Sequence, residues 1–180
     1  MMYQSQFIEM FGDPKTNSHH RPTVRFDNVV TLQRGFDLPE KKRNSEGNIP
    51  IYGSNGILGY HDKAMAHDGI VTGRSGTMGE VFCITGDYWP LNTTLFSKDT
   101  HGNNIEYLCY LMRYFDVSRF CTGTGVPTLN RNEVHAQQIY DIKIDEQNKF
   151  IAIAEQADKS KFELKQSIEK IDNVIKALMQ

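Results

Sequence analysis

The stretch DEQNKFIAIAEQADKSKFELKQSIEKIDNVIKALMQ, from Asp145 to Gln180, holds neither glycine nor proline and reads as one uninterrupted helix. Phe150, Ala154, Ala157, Lys161, Leu164, Ile168, Ile171, Ile175 and Leu178 follow alternating spacings of four and three, which is a heptad seam. Lys161 is its one charged member, and Lys159, Lys165, Glu169, Lys170 and Asp172 decorate the other faces. Such a rod is about 50 Å long. A narrow stripe kept in register over several heptads calls for a partner helix. The competing arrangement is an amphipathic helix folded back on its own body.

Upstream of the rod the composition changes. All 14 glycines and five of the six prolines precede Val126. This is a loop-rich body with several short elements, and the length suits one domain with an appendage. At 39% hydrophobic the chain can build one sizeable core. It has no apolar run long enough to span a bilayer and no basic-then-apolar leader at its start, so neither a membrane nor secretion is expected. Cys83, Cys109 and Cys121 are odd in number and form no C-x-x-C pair, which fits reduced thiols in a cytoplasmic protein. The formal net charge of −2 argues mildly against a general nucleic-acid binder.

The expected architecture is α+β, a mixed sheet followed by a long coiled-coil helix. Its parts are a helical segment over residues 1–14, a body over 15–144 and the rod over 145–180. Tyr3 to Phe11 is a short helix stopped by Gly12-Asp13-Pro14. Val24 to Leu32 is β-branched and predicts a strand. Ile49–Tyr52 and Ile57–Tyr60 are strands about the tight turn Gly53-Ser54-Asn55-Gly56. Further strands are expected at Gly69–Thr72, Glu80–Ile84, Thr93–Ser97 and Gln138–Ile144, and a helix at Asn104–Phe115. Asp145 is the expected N-cap of the rod.

Motifs for self-contained chemistry are missing. Gly73-Arg74-Ser75-Gly76-Thr77-Met78-Gly79 fits neither G-x-x-x-x-G-K-[ST] nor G-x-G-x-x-G, so a β-turn between strands is its plain reading. Thr122-Gly123-Thr124-Gly125 is as weak alone. The histidines at 19, 20, 61, 67, 101 and 135 lack metal-ligand spacing. No metal, no cofactor and no catalytic residue is expected, although an enzyme whose residues converge only in three dimensions stays open.

Taken in order, three loop segments resemble the target recognition domain of type I restriction–modification specificity subunits. They are Ile49 to Tyr60 (IPIYGSNGILGY), Ile70 to Gly79 (IVTGRSGTMG) and Thr122 to Leu129 (TGTGVPTL). Glu146-Gln147 opening the long helix and Phe7 to Pro14 (FIEMFGDP) near the start fit the same pattern. The chain departs from the family's usual proline-rich turn before Glu-Gln, with Ile142-Lys143-Ile144-Asp145 there instead. It also has one body and one rod where a typical member has two of each.

The resemblance implies a non-catalytic, sequence-specific reader of double-stranded DNA. Methylation and restriction subunits would be its partner chains and would hold S-adenosylmethionine and ATP. It also implies a half-subunit that pairs as a homodimer through antiparallel rods, with an excised fragment as the alternative. Ala157, Leu164, Ile168, Ile171, Ile175 and Leu178 are the expected partner-helix positions. Arg34, Lys41, Lys42 and Arg43 are the candidates for phosphate, and Tyr52, Ser54, Asn55, Tyr60, Arg74, Ser75 and Thr124 for base or groove contact. The competing reading is ordinary: a solvated Lys-Lys-Arg loop, turn glycines and core tyrosines. The rival function is a coiled-coil adaptor whose body binds a protein or another non-DNA ligand.

Overall fold

The computed structural model describes residues 3–123 and 127–178. Helix α1 (Gln4–Phe11) leads to strands β1 (Thr23–Arg25) and β2 (Thr31–Arg34), then to the hairpin β3 (Ile49–Gly53) and β4 (Gly56–His61). Strands β5 (Ala66–Gly73), β6 (Val81–Pro90) and β7 (Thr94–Asp99) precede helix α2 (Ile105–Phe115). The short β8 (Cys121–Thr122) and β9 (Thr128–Leu129), helix α3 (Arg131–His135), β10 (Gln138–Tyr140) and helix α4 (Ile144–Leu178) complete the order.

The central sheet runs β2-β7-β5-β6-β3-β4 and is mixed. The β3–β6 pairing is parallel and the others are antiparallel. Alternation divides its two faces. Ile70, Val81 and Leu95 belong to the main core with α2 and the root of α4. Val71, Ile84 and Phe96 form a second cluster on the opposite face, joined by Phe36, Tyr52 and Phe82.

The expected strand Val24–Leu32 is two strands in two sheets. A 3-10 turn at Phe26–Asn28 breaks it. The Phe26 ring is fully buried and stacks on Phe115 at 5.4 Å, while its N–H donates to the Gln137 carbonyl. One β-branched run therefore feeds β1, paired with β10, and β2, paired with β7. The strand expected over Gln138–Ile144 stops at Tyr140. The Lys143 carbonyl instead accepts from the Glu146 and Gln147 N–H groups, starting α4 at Ile144. Asp145 consequently lies inside the first turn beside Glu146 rather than capping it, and both acids complement the helix's positive end.

Helix α4 has two environments. Phe150 is fully buried, edge-on to Phe7, Phe11 and Tyr110 at 5.2, 5.6 and 5.2 Å. Ile151 and Ala154 are buried as well. Phe150 and Ala154, placed in the partner seam from sequence, are thus core of their own body. The environment changes after them. Ala157 is half-buried and Lys161 exposed, and Phe162, Leu164, Ile168 and Ile171 are 61%, 63%, 51% and 58% exposed. The helix continues through Ile175 and Leu178, whose side chains lie outside the described residues. No described helix is long and apolar enough to cross a membrane.

Candidate nucleic-acid interface

Three segments meet at the turn of the β3–β4 hairpin. Gly53 and Gly56 pair across the two-residue turn Ser54-Asn55. Against it lies the loop Gly73–Gly79. A Cβ on Gly73 would stand 2.0 Å from the Thr77 carbonyl oxygen and 3.3 Å from the Ser54 Cβ, so only glycine permits this approach. The third segment is the β8–β9 ribbon.

Backbone hydrogen bonds fasten the loop to Thr93 and to the ribbon. The Arg74 and Ser75 N–H groups both donate to the Thr93 carbonyl, at 2.8 and 3.1 Å. The Arg74 carbonyl accepts from the Leu129 N–H at 2.8 Å, and Ser75 bridges to Thr128. Those two N–H groups are engaged and are not free to cradle a phosphate. These bonds hold the backbone at Arg74 in place.

Arg74, Arg34 and Arg131 line one cleft of about 380 Å³, with Thr122, Asn130 and Asn132. The Arg34 guanidinium is held by Asp37 at 3.1 Å, and Asp37 also accepts from Asn92. Among the described residues, Arg74 and Arg131 have no ion-pair partner. Two cationic residues lining one concavity, without a carboxylate partner among the described residues, make it electropositive and suited to an anion.

Arg131, Asn130 and Asn132 were not among the residues singled out from sequence. Arg131 opens α3, where the Asn130 side-chain oxygen accepts from the Asn132 N–H at 3.0 Å. The available signal was Asn130 three residues before Glu133, the spacing of a helix start.

The remaining candidates sit elsewhere. Lys41 and Lys42 are exposed on a single 3-10 turn, Glu40–Lys42, and Arg43 reaches the Leu38 carbonyl at 3.4 Å. Asn44 then donates to His61 Nδ1 at 3.2 Å, and His61 pairs with Ile49 at the open end of the hairpin. The Lys-Lys-Arg run therefore flanks the end away from the turn. Tyr60 is 47% exposed on the edge strand β4, and Asn55 is exposed at the turn. Tyr52 packs against Phe82 and Tyr88 at 5.9 and 6.0 Å, and burial pushes its pKa up. The structure thus gathers Arg34, Ser54, Arg74 and Ser75, and separates them from Lys41, Lys42 and Arg43. Thr124 lies outside the described residues.

The model of the type I restriction modification DNA specificity domain family matches residues 22–174. No curated protein sequence matches the chain. Solved structures share its fold. A chain from a study of complex assembly and conformational transition in the type I R-M system superposes with a TM-score of 0.72 at 16% identity, covering 98% of this chain and 48% of that one. The HsdS subunit from Thermoanaerobacter tengcongensis gives 0.65 at 15%, covering 92% and 44%. The S subunit of a type I restriction-modification system from M. genitalium gives 0.56 at 15%, covering 66% and 33%. The chain spans less than half the length of each.

Proposed function

The chain belongs to the type I restriction–modification DNA specificity domain family, and from that premise we propose that it reads a double-stranded DNA target and directs methylation and restriction subunits to it. In this reading the chain itself is not catalytic. Bond-making and bond-breaking, with S-adenosylmethionine and ATP, belong to the partner chains.

The observation that carries the proposal is the cleft beside the Gly73–Gly79 loop, which packs on the hairpin turn; there Arg74 and Arg131 have no carboxylate partner among the described residues. The basic run Lys41-Lys42-Arg43 flanks the other end of the same hairpin. The five residues of β3 span about 13 Å. The major groove is about 12 Å wide. The hairpin thus has the length to lie across the groove, with the cleft arginines on one phosphate strand and the Lys-Lys-Arg run on the other. Ser54, Asn55 and Tyr60 are then the base-edge readers, and Tyr52 backs the hairpin from beneath.

The exposed half of α4 supports the second element. Leu164, Ile168 and Ile171 are more than half exposed and suit a coiled coil with the same helix of a second copy, running antiparallel. A two-fold pair of heads reads an interrupted palindrome, with half-sites about one to one and a half helical turns apart.

Methylome sequencing of the source cell with and without the gene tests the central reading. One bipartite set of methylated adenines is expected to vanish with the gene. An unchanged methylome removes the DNA reading and leaves the adaptor. Footprinting of the assembled complex tests the pairing: one continuous, asymmetric site removes the symmetric dimer.

A further inference from the structure

Cys83 and Cys109 lie on facing elements. Cys83 is on β6, paired with the core residue Ile70, so its side chain shares the sheet face that α2 covers. Its sulfur is 3.8 Å from the Ile105 carbonyl oxygen, one helical turn before Cys109 on α2. In helix geometry the Cys109 N–H points to that same carbonyl, so the two thiols are neighbours across the β6–α2 contact. Cys83 is exposed and lines a cavity of about 430 Å³ with Asp68, Glu106 and Glu155. Cys109 is buried.

We propose that Cys83 and Cys109 are an oxidisable thiol pair that closes a disulfide between β6 and α2, with a small neutral peroxide as oxidant. Cys83 is exposed at the cavity and Cys109 is buried, so the oxidant reaches Cys83 first and Cys83 is the attacking sulfur. Its thiolate attacks one oxygen of hydrogen peroxide. An S–O bond forms, the O–O bond breaks, and the departing hydroxide takes up the proton lost by Cys83, giving water and a sulfenic acid. The Cys109 sulfur then attacks the Cys83 sulfur. The S–S bond forms, the S–O bond breaks, and the leaving hydroxide accepts the Cys109 proton as a second water. Two thiols and one peroxide become one disulfide and two waters. The carboxylates around the cavity favour a neutral oxidant over an anionic one.

The bond would clamp the central sheet to α2. That helix carries Tyr110 against Phe150, and its cap Asn104 donates its side-chain amide to Asn148 Oδ1 and its backbone N–H to Gln147 Oε1. Oxidation would therefore fasten the seat of the rod to the sheet beneath it. This inference is independent of the DNA reading.

The test is a peptide map of the full-length, reduced chain after brief hydrogen peroxide treatment and alkylation. A Cys83–Cys109 bridged peptide with Cys121 still alkylated is expected, reversed by dithiothreitol. Cys83→Ser should abolish the bridge and leave Cys109 alkylatable on unfolding. Cys109→Ala should stop Cys83 at a dimedone-reactive sulfenic acid. Should that core variant not fold, the wild-type map decides alone. A wild-type map in which Cys83 is overoxidised, joins Cys121 or links two chains overturns the proposal, and so does one in which it stays a free thiol.

Discussion

Gln147 shows what one polar side chain does at the root of the rod. It is fully buried, yet its amide is satisfied. Its oxygen accepts from the Asn104 N–H at 2.9 Å, and its nitrogen donates to Asn103 Oδ1 and the Ile142 carbonyl at 2.6 and 2.7 Å. Replacing it with leucine strands a buried N–H and a buried carbonyl, and should cost about 2–4 kcal/mol. Urea denaturation of Gln147→Leu measures this, and a change within error would show the network to be dispensable. The sequence marks this residue only through its resemblance motif, because burial of a polar group has no periodic signal. Histidines give a pH prediction of opposite signs. His135 Nε2 accepts the Leu32 N–H at 2.9 Å, and burial lowers its pKa. The unfolded chain therefore takes up that proton first, and stability present at neutral pH is lost as pH falls below about 6.5. For His67 the hydrogen bond to Asp87, with Asp68 nearby, raises the pKa. Its contribution is present below about 6.5 and fades as pH rises through the raised value. NMR titration should place the His135 midpoint below and the His67 midpoint above that of a free histidine.

At the scale of elements, the periodic segments were legible and the changes of partner were not. The 3.6-residue pattern of Ile105, Leu108, Cys109, Leu111 and Met112 gives α2, and the glycine-bounded turn gives the β3–β4 hairpin. Alternation cannot reveal that the chain changes sheets at Phe26, because that ring's site is created by Phe115 far along the sequence. The heptad pattern likewise runs unbroken through a helix that is half core and half exposed. What divides it is the aromatic cluster of Phe7, Phe11 and Tyr110, which claims Phe150. The two halves should respond differently. Phe150→Ala opens a cavity in that cluster and should destabilise the body by about 3–5 kcal/mol. Ile168→Lys changes a side chain with no contact to the body, and should leave body stability within about 0.5 kcal/mol. The same substitution places a charge in the proposed seam and should convert a dimer to a monomer in light scattering after size exclusion. A wild-type monomer would remove the paired-rod arrangement.

Across the whole molecule the difficulty is charge. A chain of net charge −2 must gather its cations locally to hold a polyanion. Arg34 and Arg74 could be read from sequence as candidate contacts, Arg74 through its glycine-bounded loop. Arg131 could not, since it reaches the cleft only when the β8–β9 ribbon folds back and α3 begins beside Arg74. Because Arg74 and Arg131 have no ion-pair partner among the described residues, each would release about one DNA counterion on binding. Arg34, held by Asp37, must first give up that pairing and should contribute less. The dependence of log K on log salt, measured by fluorescence anisotropy with the assembled complex, should therefore flatten by about 0.9 for Arg74→Ala and again for Arg131→Ala, with a smaller change for Arg34→Ala. Lys41→Ala and Lys42→Ala at the opposite end of the hairpin should flatten it similarly if β3 lies across the groove. A slope lowered by the cleft variants and untouched by both lysine variants would confine the duplex to the turn end. A slope untouched by all of them would move the DNA to another face of the protein.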